Sequence, residues 1–183
     1  MVNFVVLIFE TMILRTAKIS DIDTICRIID EAQAQMARLG IDQWQNGYPD
    51  RSSIEADILS GVGLVLCSEE GCEVIAYCAA IFGTEPTYAR IDDGRWLTDE
   101  NAQYVVVHRL AVADRFKHRG IATEFVRRVE ALAVEQHCDS FRIDTHTDNR
   151  YMHALCARLG FVRCGTIYVS DGSPRVAYEK VLR

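Results

Sequence analysis

Apolar residues recur along this chain with two different periods, and these periods predict which segments are strands and which are helices. Short apolar or alternating runs are typical of strands, and seven of them occur, from "MILRTAK" near the start to "RVAYEKVL" at the end. Four other segments repeat apolar residues every three or four positions, as amphipathic helices do. The order β-α-α-β-β-β-α-β-α-β-β predicts a mixed α/β (α+β) fold with hairpins at its ends.

Capping and turn residues predict where several of these elements begin and end. Ser20 precedes isoleucines at helical spacing and is expected to cap the first helix, which Gly40 would end. Ser52 opens a Ser-x-x-Glu pattern, the capping box of a second, short helix. Glu70-Gly71 and Asp171-Gly172 each lie between two apolar runs and therefore predict hairpins.

Length and charge restrict the class of protein. The 183 residues suffice for one domain with a core of its own. Residues 1–11 are apolar but too few to span a bilayer, so we expect an N-terminal extension followed by a domain over residues 12–183. A formal net charge of −6 argues against general nucleic-acid binding, which needs a basic surface. We expect neither nucleic acid nor a membrane as a partner.

The seven cysteines are odd in number and include no Cys-x-x-Cys pair. Disulfide frameworks and zinc sites both use paired or regularly spaced cysteines. We therefore expect reduced thiols in a cytoplasmic protein, and no metal.

One basic stretch, "FKHRGIATEFVRRVEALA" (Phe116–Ala133), differs from the rest of this acidic chain. It connects the strand that ends in "RLAV" to a helix, and a helix N-terminus offers backbone amides and a positive dipole to an anion. Gly120 and Ala122 keep the backbone accessible, while Lys117 and Arg119 add positive charge at the rim. The turn is expected to hold a diphosphate. A basic helix start on the surface would show the same local pattern.

The wider pattern resembles the GNAT superfamily of N-acetyltransferases. Its acetyl-CoA motif, [QR]-x-x-G-x-[GA] after a strand ending in "LAV", corresponds here to Leu110, Ala111, Val112, Lys117, His118, Arg119, Gly120, Ile121 and Ala122. Lys117 replaces the usual Gln or Arg. "DNRYMHALCARLGF" is similar to the family's Asn-containing helix ending in "LGF", and the element order matches from Met12 onward. The resemblance implies a mixed, mostly antiparallel sheet splayed around acetyl-CoA, with flanking helices and further co-substrate contacts from Thr123 and Asn149.

The resemblance also implies direct transfer of the acetyl group from the CoA sulfur to an amine. A backbone N–H near Leu110 would stabilise the oxyanion of the transition state. For the general base we expect His108, which lies two residues before Leu110 and therefore on the same strand face by period two. The alternative is a structural histidine whose hydrogen bonds are satisfied inside the sheet.

The sequence departs from the family at the proton donor, because many relatives carry Tyr where this chain has Cys156. Cys156 and Tyr168 are the expected candidates. Tyr151, or a reaction without a side-chain acid, remains an alternative.

The acceptor is expected to be a small polar amine. By resemblance, the loop between the first two helices lines its cleft with Trp44 and Tyr48. Asp144 and His146 alternate on "RIDTHT", so we expect them to share a strand face and orient the amine, with strand-end capping as the alternative. An amino acid, a polyamine, an amino sugar and a peptide N-terminus are all compatible with these residues, and a homodimer is possible.

Two further functions compete with the enzyme. A non-catalytic sensor or scaffold that binds acyl-CoA is supported by the missing Tyr. A nucleotide-binding protein is disfavoured because no Ser or Thr follows a Gly-Lys pair. A metal site built from His108, Asp144 and His146 is conceivable but also disfavoured.

Overall fold

The computed structural model describes residues 12–68 and 73–183. The predicted N-terminal extension, the turn at residues 70–71 and Cys72 lie outside these ranges. The strands are β1 (Ile13–Thr16), β2 (Gly63–Cys67), β3 (Val74–Phe82), β4 (Tyr104–Val112), β5 (Ser140–Thr145), β6 (Val162–Tyr168) and β7 (Pro174–Val181). The helices are α1 (Ile22–Arg38), α2 (Arg51–Leu59), α3 (Ile121–Glu135) and α4 (Arg150–Arg158). Short 3-10 turns cover Ile19–Asp21, Pro86–Tyr88 and Asp114–Phe116. The predicted order of strands and α-helices is confirmed.

The strands form one seven-stranded sheet in the order β1-β2-β3-β4-β5-β7-β6. The pairs β1–β2, β2–β3, β5–β7 and β6–β7 are antiparallel, whereas β4 and β5 are parallel. α3 connects the two parallel strands, as a parallel pair requires a crossover. The predicted mixed, mostly antiparallel sheet with flanking helices is confirmed. No helix in the described part of the chain is both long and apolar enough to cross a membrane.

Both predicted capping residues at the starts of the first two helices are wrong, while the predicted stop is right. A 3-10 turn precedes α1, so Ser20 lies within that turn, and Asp21 accepts the Lys18 N–H at 2.7 Å. α2 begins at Arg51, because Asp50 caps it by accepting the Ser53 N–H at 2.9 Å. Aspartate is as good an N-cap as serine, so composition alone does not choose between neighbouring candidates. Gly40 follows α1 with φ +70°, the left-handed conformation that ends many helices.

The chain divides into two compact units. The first contains the chain up to Leu39, Trp44–Ala79 and Arg109–Arg128. The second contains Gly40–Gln43, Ala80–His108 and Val129–Arg183. The first has a core formed by isoleucines of α1 packed with residues of α2, β2 and β3, among them Ile25, Ile54, Val65 and Tyr77. In the second, an apolar cluster contains Tyr88, Tyr104, Val106, Ile167 and Ala177.

The connection between β3 and β4, in the second unit, is anchored to the sheet rather than fully solvated. Asp92 exchanges both backbone hydrogen bonds with Thr166 of β6, each at 2.8 Å. A Cβ at Gly94 would lie 1.9 Å from the Cys164 carbonyl oxygen, so only glycine fits there. Glu179, fully buried on β7, accepts hydrogen bonds from Thr98 and Arg142. These contacts fix the segment that contains residues 84–100.

Candidate active site

The basic turn of the first unit has the backbone of an anion-binding nest. His118 and Gly120 have φ values of +61° and +80°, so left-handed residues alternate with Arg119 just before α3 begins at Ile121. Alternation of this kind turns successive amides toward one point, where an anion can be bound. A left-handed His at this position was not evident from the sequence, although its glycine neighbour was.

The amide groups of this turn are available for a ligand. The Lys117 N–H donates to the Asp114 carbonyl, and the Glu124 N–H donates to Gly120. Between them, the N–H groups of residues 118–123 donate no hydrogen bond to any residue that the structure describes. Helix N-termini leave such donors unsatisfied until a cap, water or a ligand accepts from them. The turn therefore combines unpaired donors with the positive end of the α3 dipole.

The predicted co-substrate residues differ in what their side chains contribute. The Lys117 ammonium donates to Gln35 and to Asp114, so part of its charge is already neutralised locally. Arg119 is exposed, with its guanidinium carbon 5.8 Å from the centre of the Phe116 ring. Ala111 and Val112 are buried and have apolar side chains, so any polar contact they make comes from their backbone. The side chains of these residues thus offer little unpaired charge, and the backbone amides are the main donors of the turn.

Arg109 interrupts the regular conformation of β4. Its φ is +57°, in the left-handed region that non-glycine residues adopt rarely and often at functional sites. The period-two argument that placed His108 and Leu110 on one face does not apply across this residue. The shared face of His108 and Leu110 therefore stays a prediction, because alternation requires an unbroken extended strand.

All three nitrogens of the Arg109 guanidinium donate hydrogen bonds within the first unit. Its Nε and Nη2 donate to the two oxygens of Asp57 at 2.8 and 2.6 Å, and its Nη1 donates to the Tyr48 hydroxyl. Asp57 also accepts the Tyr77 hydroxyl at 2.6 Å. Both charged side chains are nearly buried, at 12% and 9% exposed. This bidentate pair is a fixed, charge-neutral connection between β4 and α2.

His108, in the second unit, lies between two carboxylates. Its Nε2 is 3.4 Å from Glu85 Oε2, and its Nδ1 is 3.7 Å from Asp144 Oδ1. Asp144 Oδ1 already accepts the Tyr88 hydroxyl at 2.7 Å. The hydrogen bond from His108 is the largest cause that lowers the pKa of Glu85 to about 2. Only 19%, 14% and 9% of the His108, Glu85 and Asp144 side chains is exposed. The imidazole is therefore flanked by two largely buried carboxyl groups.

The candidates for proton donor lie in contrasting environments. Cys156 is fully buried in α4, and burial raises the pKa of its thiol to about 12. Tyr168, on β6, is 47% exposed, and Tyr151 is 50% exposed. Cys156 therefore keeps its proton at neutral pH, whereas the two tyrosines are in contact with water.

Asn149 caps α4. Its side-chain oxygen accepts the Met152 N–H at 3.2 Å, and its amide donates to Gln43 at 3.2 Å. Only 5% of Asn149 is exposed, so its side chain is held in one orientation.

The predicted acceptor residues are distributed over both units. Trp44 packs against the core of the first unit, and Tyr48 is 44% exposed with its hydroxyl bonded to Arg109. In the second unit Asp144 belongs to β5, which ends at Thr145, so His146 lies just beyond the strand. The His146 ring instead accepts the Asp148 N–H at 3.2 Å. A local turn beyond the strand thus replaces the expected alternation.

Four residues of these clusters were not predicted from the sequence as parts of a site: Asp57, Glu85, Tyr88 and Arg109. Each acts through a partner far away in the chain, and no local spacing reveals such pairs. The one available signal was Glu85-Pro86, an acidic residue before proline, which is a turn pattern.

In the part of the chain that the structure describes, no three His, Cys, Asp or Glu side chains form a group that could hold a metal ion.

Comparisons with known proteins agree with this fold. Residues 29–161 match the model of the acetyltransferase (GNAT) family. A GNAT-family acetyltransferase from Streptococcus agalactiae 2603 is 38% identical, with a TM-score of 0.82 over 93% of this chain and 95% of the other. A GNAT-family acetyltransferase from Listeria monocytogenes 4b F2365 is 18% identical, with a TM-score of 0.73 over 93% and 95% of the two chains. No curated protein sequence matched.

The fold and the family match define an enzyme of the acyltransferase class. The chain belongs to the GNAT family of acetyltransferases. A more distant likeness is to the NatC complex bound to Gag peptide and CoA, at 13% identity and a TM-score of 0.66 over 94% of this chain and 99% of that one, and it shows the fold alone.

Proposed function

We propose that this protein transfers an acetyl group from acetyl-CoA directly to the amine of a small polar acceptor. The observation that carries the proposal is the turn before α3, where left-handed His118 and Gly120 leave the amides of residues 118–123 without acceptors in the described chain. These donors, with Arg119 at the rim, fit a diphosphate such as that of CoA. Thr123 and Asn149 are the further proposed contacts. Acetyl-CoA supplies an activated thioester.

The chemical roles fall to residues near β4. An acceptor that arrives as an ammonium ion first gives one proton to His108, because only a neutral amine can attack, and its nitrogen releases a second proton to solvent after the new C–N bond has formed. A backbone N–H near Leu110 stabilises the negative charge that develops on the carbonyl oxygen. The C–S bond breaks, and the leaving thiolate takes a proton from Cys156, from Tyr168 or from water. Cys156 is protonated at neutral pH, as a donor must be, but its high pKa makes it a weak acid.

On the acceptor side, Trp44 and Tyr48 supply aromatic surface in the first unit. Asp144 and His146 supply polar groups in the second. Aromatic faces and carboxylates both attract cations, which favours an acceptor that arrives as an ammonium ion. Because the NatC complex is bound to a peptide and CoA, the assay should also include peptides as acceptors.

The test is the release of free thiol from acetyl-CoA over amino acids, polyamines, amino sugars and short peptides. One clear acceptor would support the enzyme and define its class. His108→Ala should then lower kcat/KM by about 10²- to 10⁴-fold, the usual range for a general base, with CoA affinity retained. His137→Ala, an exposed histidine in the turn after α3, is the matched control and should keep full activity.

The competing function is a sensor that binds acyl-CoA without turnover, and buried Cys156 at the usual Tyr position favours it. Tight binding of acetyl-CoA with no thiol release over the whole panel would support that function. A His108→Ala variant as active as the parent would remove His108 from the role of base.

A further inference from the structure

The segment Glu85–Tyr88, near the start of the connection from β3 to β4, holds a carboxylate in a fixed position. Glu85 caps the short 3-10 turn, and its Oε1 accepts the Thr87 N–H at 3.3 Å and the Thr87 hydroxyl at 3.0 Å. The Glu85 N–H donates to the Tyr104 hydroxyl at 3.2 Å. Its other oxygen, Oε2, is the one that faces His108. Thr87 thus orients the carboxylate, and Tyr104 of β4 holds the backbone of Glu85.

The same turn also controls the carboxylate on the other side of the imidazole. Tyr88 is 1% exposed, and its ring stacks on Trp96 at 5.4 Å between centroids and 5° between planes. From this position its hydroxyl donates to Asp144 Oδ1 at 2.7 Å. Its ring also meets His108 edge to face, with the centroids 5.9 Å apart. Tyr88 therefore occupies the Asp144 oxygen that lies closest to His108 Nδ1.

The two nitrogens of His108 consequently face unequal partners. Glu85 Oε2 is the nearer acceptor, 3.4 Å from Nε2, whereas Asp144 Oδ1 is 3.7 Å from Nδ1 and already accepts from Tyr88; both separations are long for a hydrogen bond. A neutral imidazole carries one proton, which is favoured on the nitrogen with the better acceptor. That nitrogen is Nε2, so the lone pair of the neutral ring is on Nδ1.

We propose that Glu85 is a positioning residue that holds neutral His108 in its Nε2–H tautomer and so leaves Nδ1 to accept the proton of the acceptor amine. The inference rests on the proposed function, in which His108 is the base. When Nδ1 takes the proton, the imidazolium has an N–H on each nitrogen, with Glu85 facing one and Asp144 the other. The proton then passes to solvent, which restores the neutral ring.

The kinetic test is Glu85→Gln. An amide can donate as well as accept, so it no longer selects the tautomer, and it no longer stabilises the imidazolium by charge. We expect kcat to fall at least about 10-fold with KM within about 2-fold, and the acid limb of the kcat profile to move to lower pH. Glu100→Gln, an exposed glutamate in the same connection, is the matched control and should leave both unchanged. A Glu85→Gln profile that superimposes on the parent's would overturn the proposal.

A second test needs no turnover. The ¹⁵N shifts of the histidine rings report the tautomer directly, and His108→Ala identifies the His108 signals by their loss. We expect the Nε2–H tautomer in the parent protein and a mixture in Glu85→Gln. Tyr88→Phe frees the Asp144 oxygen and should increase the Nδ1–H form. A parent protein with the Nδ1–H tautomer would overturn the assignment. If His108→Ala is fully active while the tautomer is as expected, the base in the proposed function fails and the positioning by Glu85 stands.

Discussion

His108 and Arg109 are consecutive residues of β4, yet they belong to different structural units and differ in how their charge is satisfied. Arg109 is always cationic, and Asp57 binds it through two short hydrogen bonds that leave neither carboxylate oxygen unused. His108 is titratable, and its contacts with Glu85 and Asp144 are longer, at 3.4 and 3.7 Å. The Arg109–Asp57 ion pair is saturated and has no capacity for a further proton. The longer contacts of His108 leave capacity for one, so we propose a structural role for Arg109 and proton transfer for His108.

The largest effect that would test this difference is the loss of Asp57. Asp57→Ala leaves the Arg109 guanidinium nearly buried without its partner, so we expect the free energy of unfolding to fall by about 3–5 kcal/mol, measured by urea denaturation. Asp23→Ala is the matched control, because its pair with Arg51 is 84% and 59% exposed and should contribute less than about 1 kcal/mol. Equal losses in the two variants would mean that Arg109 is not held as tightly as its geometry indicates.

A second experiment separates binding by the first unit from proton chemistry in the second. Gly120→Leu places a side chain over the unpaired amides and strains a residue at φ +80°. We expect CoA to bind at least about 10-fold more weakly by calorimetry, which is about 1.4 kcal/mol. Gly172→Leu is a control with the same strain, since Gly172 has φ +81° in the turn before β7. Both should lose about 1–2 kcal/mol of stability, and only Gly120→Leu should lose CoA affinity.

A third prediction concerns the pH dependence of stability. Folding lowers the pKa of Glu85 from 4.5 to about 2, so its stabilising contribution is complete above about pH 4.5 and is lost as the pH falls toward 2. Glu85→Gln should therefore cost about 1 kcal/mol near pH 7, and the difference from the parent should shrink between pH 4.5 and 2. Urea titrations at several pH values measure this. A difference that stays constant would show that the Glu85 charge contributes nothing.

The smallest expected effect is that of Tyr48→Phe. The variant removes the hydroxyl that accepts from Arg109 Nη1, but the bidentate contact with Asp57 remains. Because Tyr48 is 44% exposed, water can replace the lost acceptor, and we expect a loss of about 0.5 kcal/mol in the free energy of unfolding. A loss as large as that of Asp57→Ala would make Tyr48 part of the structural pair.

The sequence by itself determined the elements and their order, the family, and the features that depend on neighbours in the chain. Gly40 and Gly160 follow the ends of α1 and α4 with φ +70° and +80°, and Asn149 caps α4. Each depends on a preference that acts within one turn of helix, which is why it is readable from a few letters. The glycine turn before α3 belongs to the same group.

Only the tertiary structure decided which charged groups meet. Arg109 and Asp57 are 52 residues apart, and Tyr88 and Asp144 are 56 apart. Tertiary structure also determined the left-handed conformation of Arg109, which breaks the alternation assumed for His108 and Leu110. Local preference for such a residue is unfavourable, so it persists only where distant contacts hold it. The chemistry of His108 is set in the same way, because both carboxylates that flank it lie outside its own strand, in the turn at Glu85 and on β5.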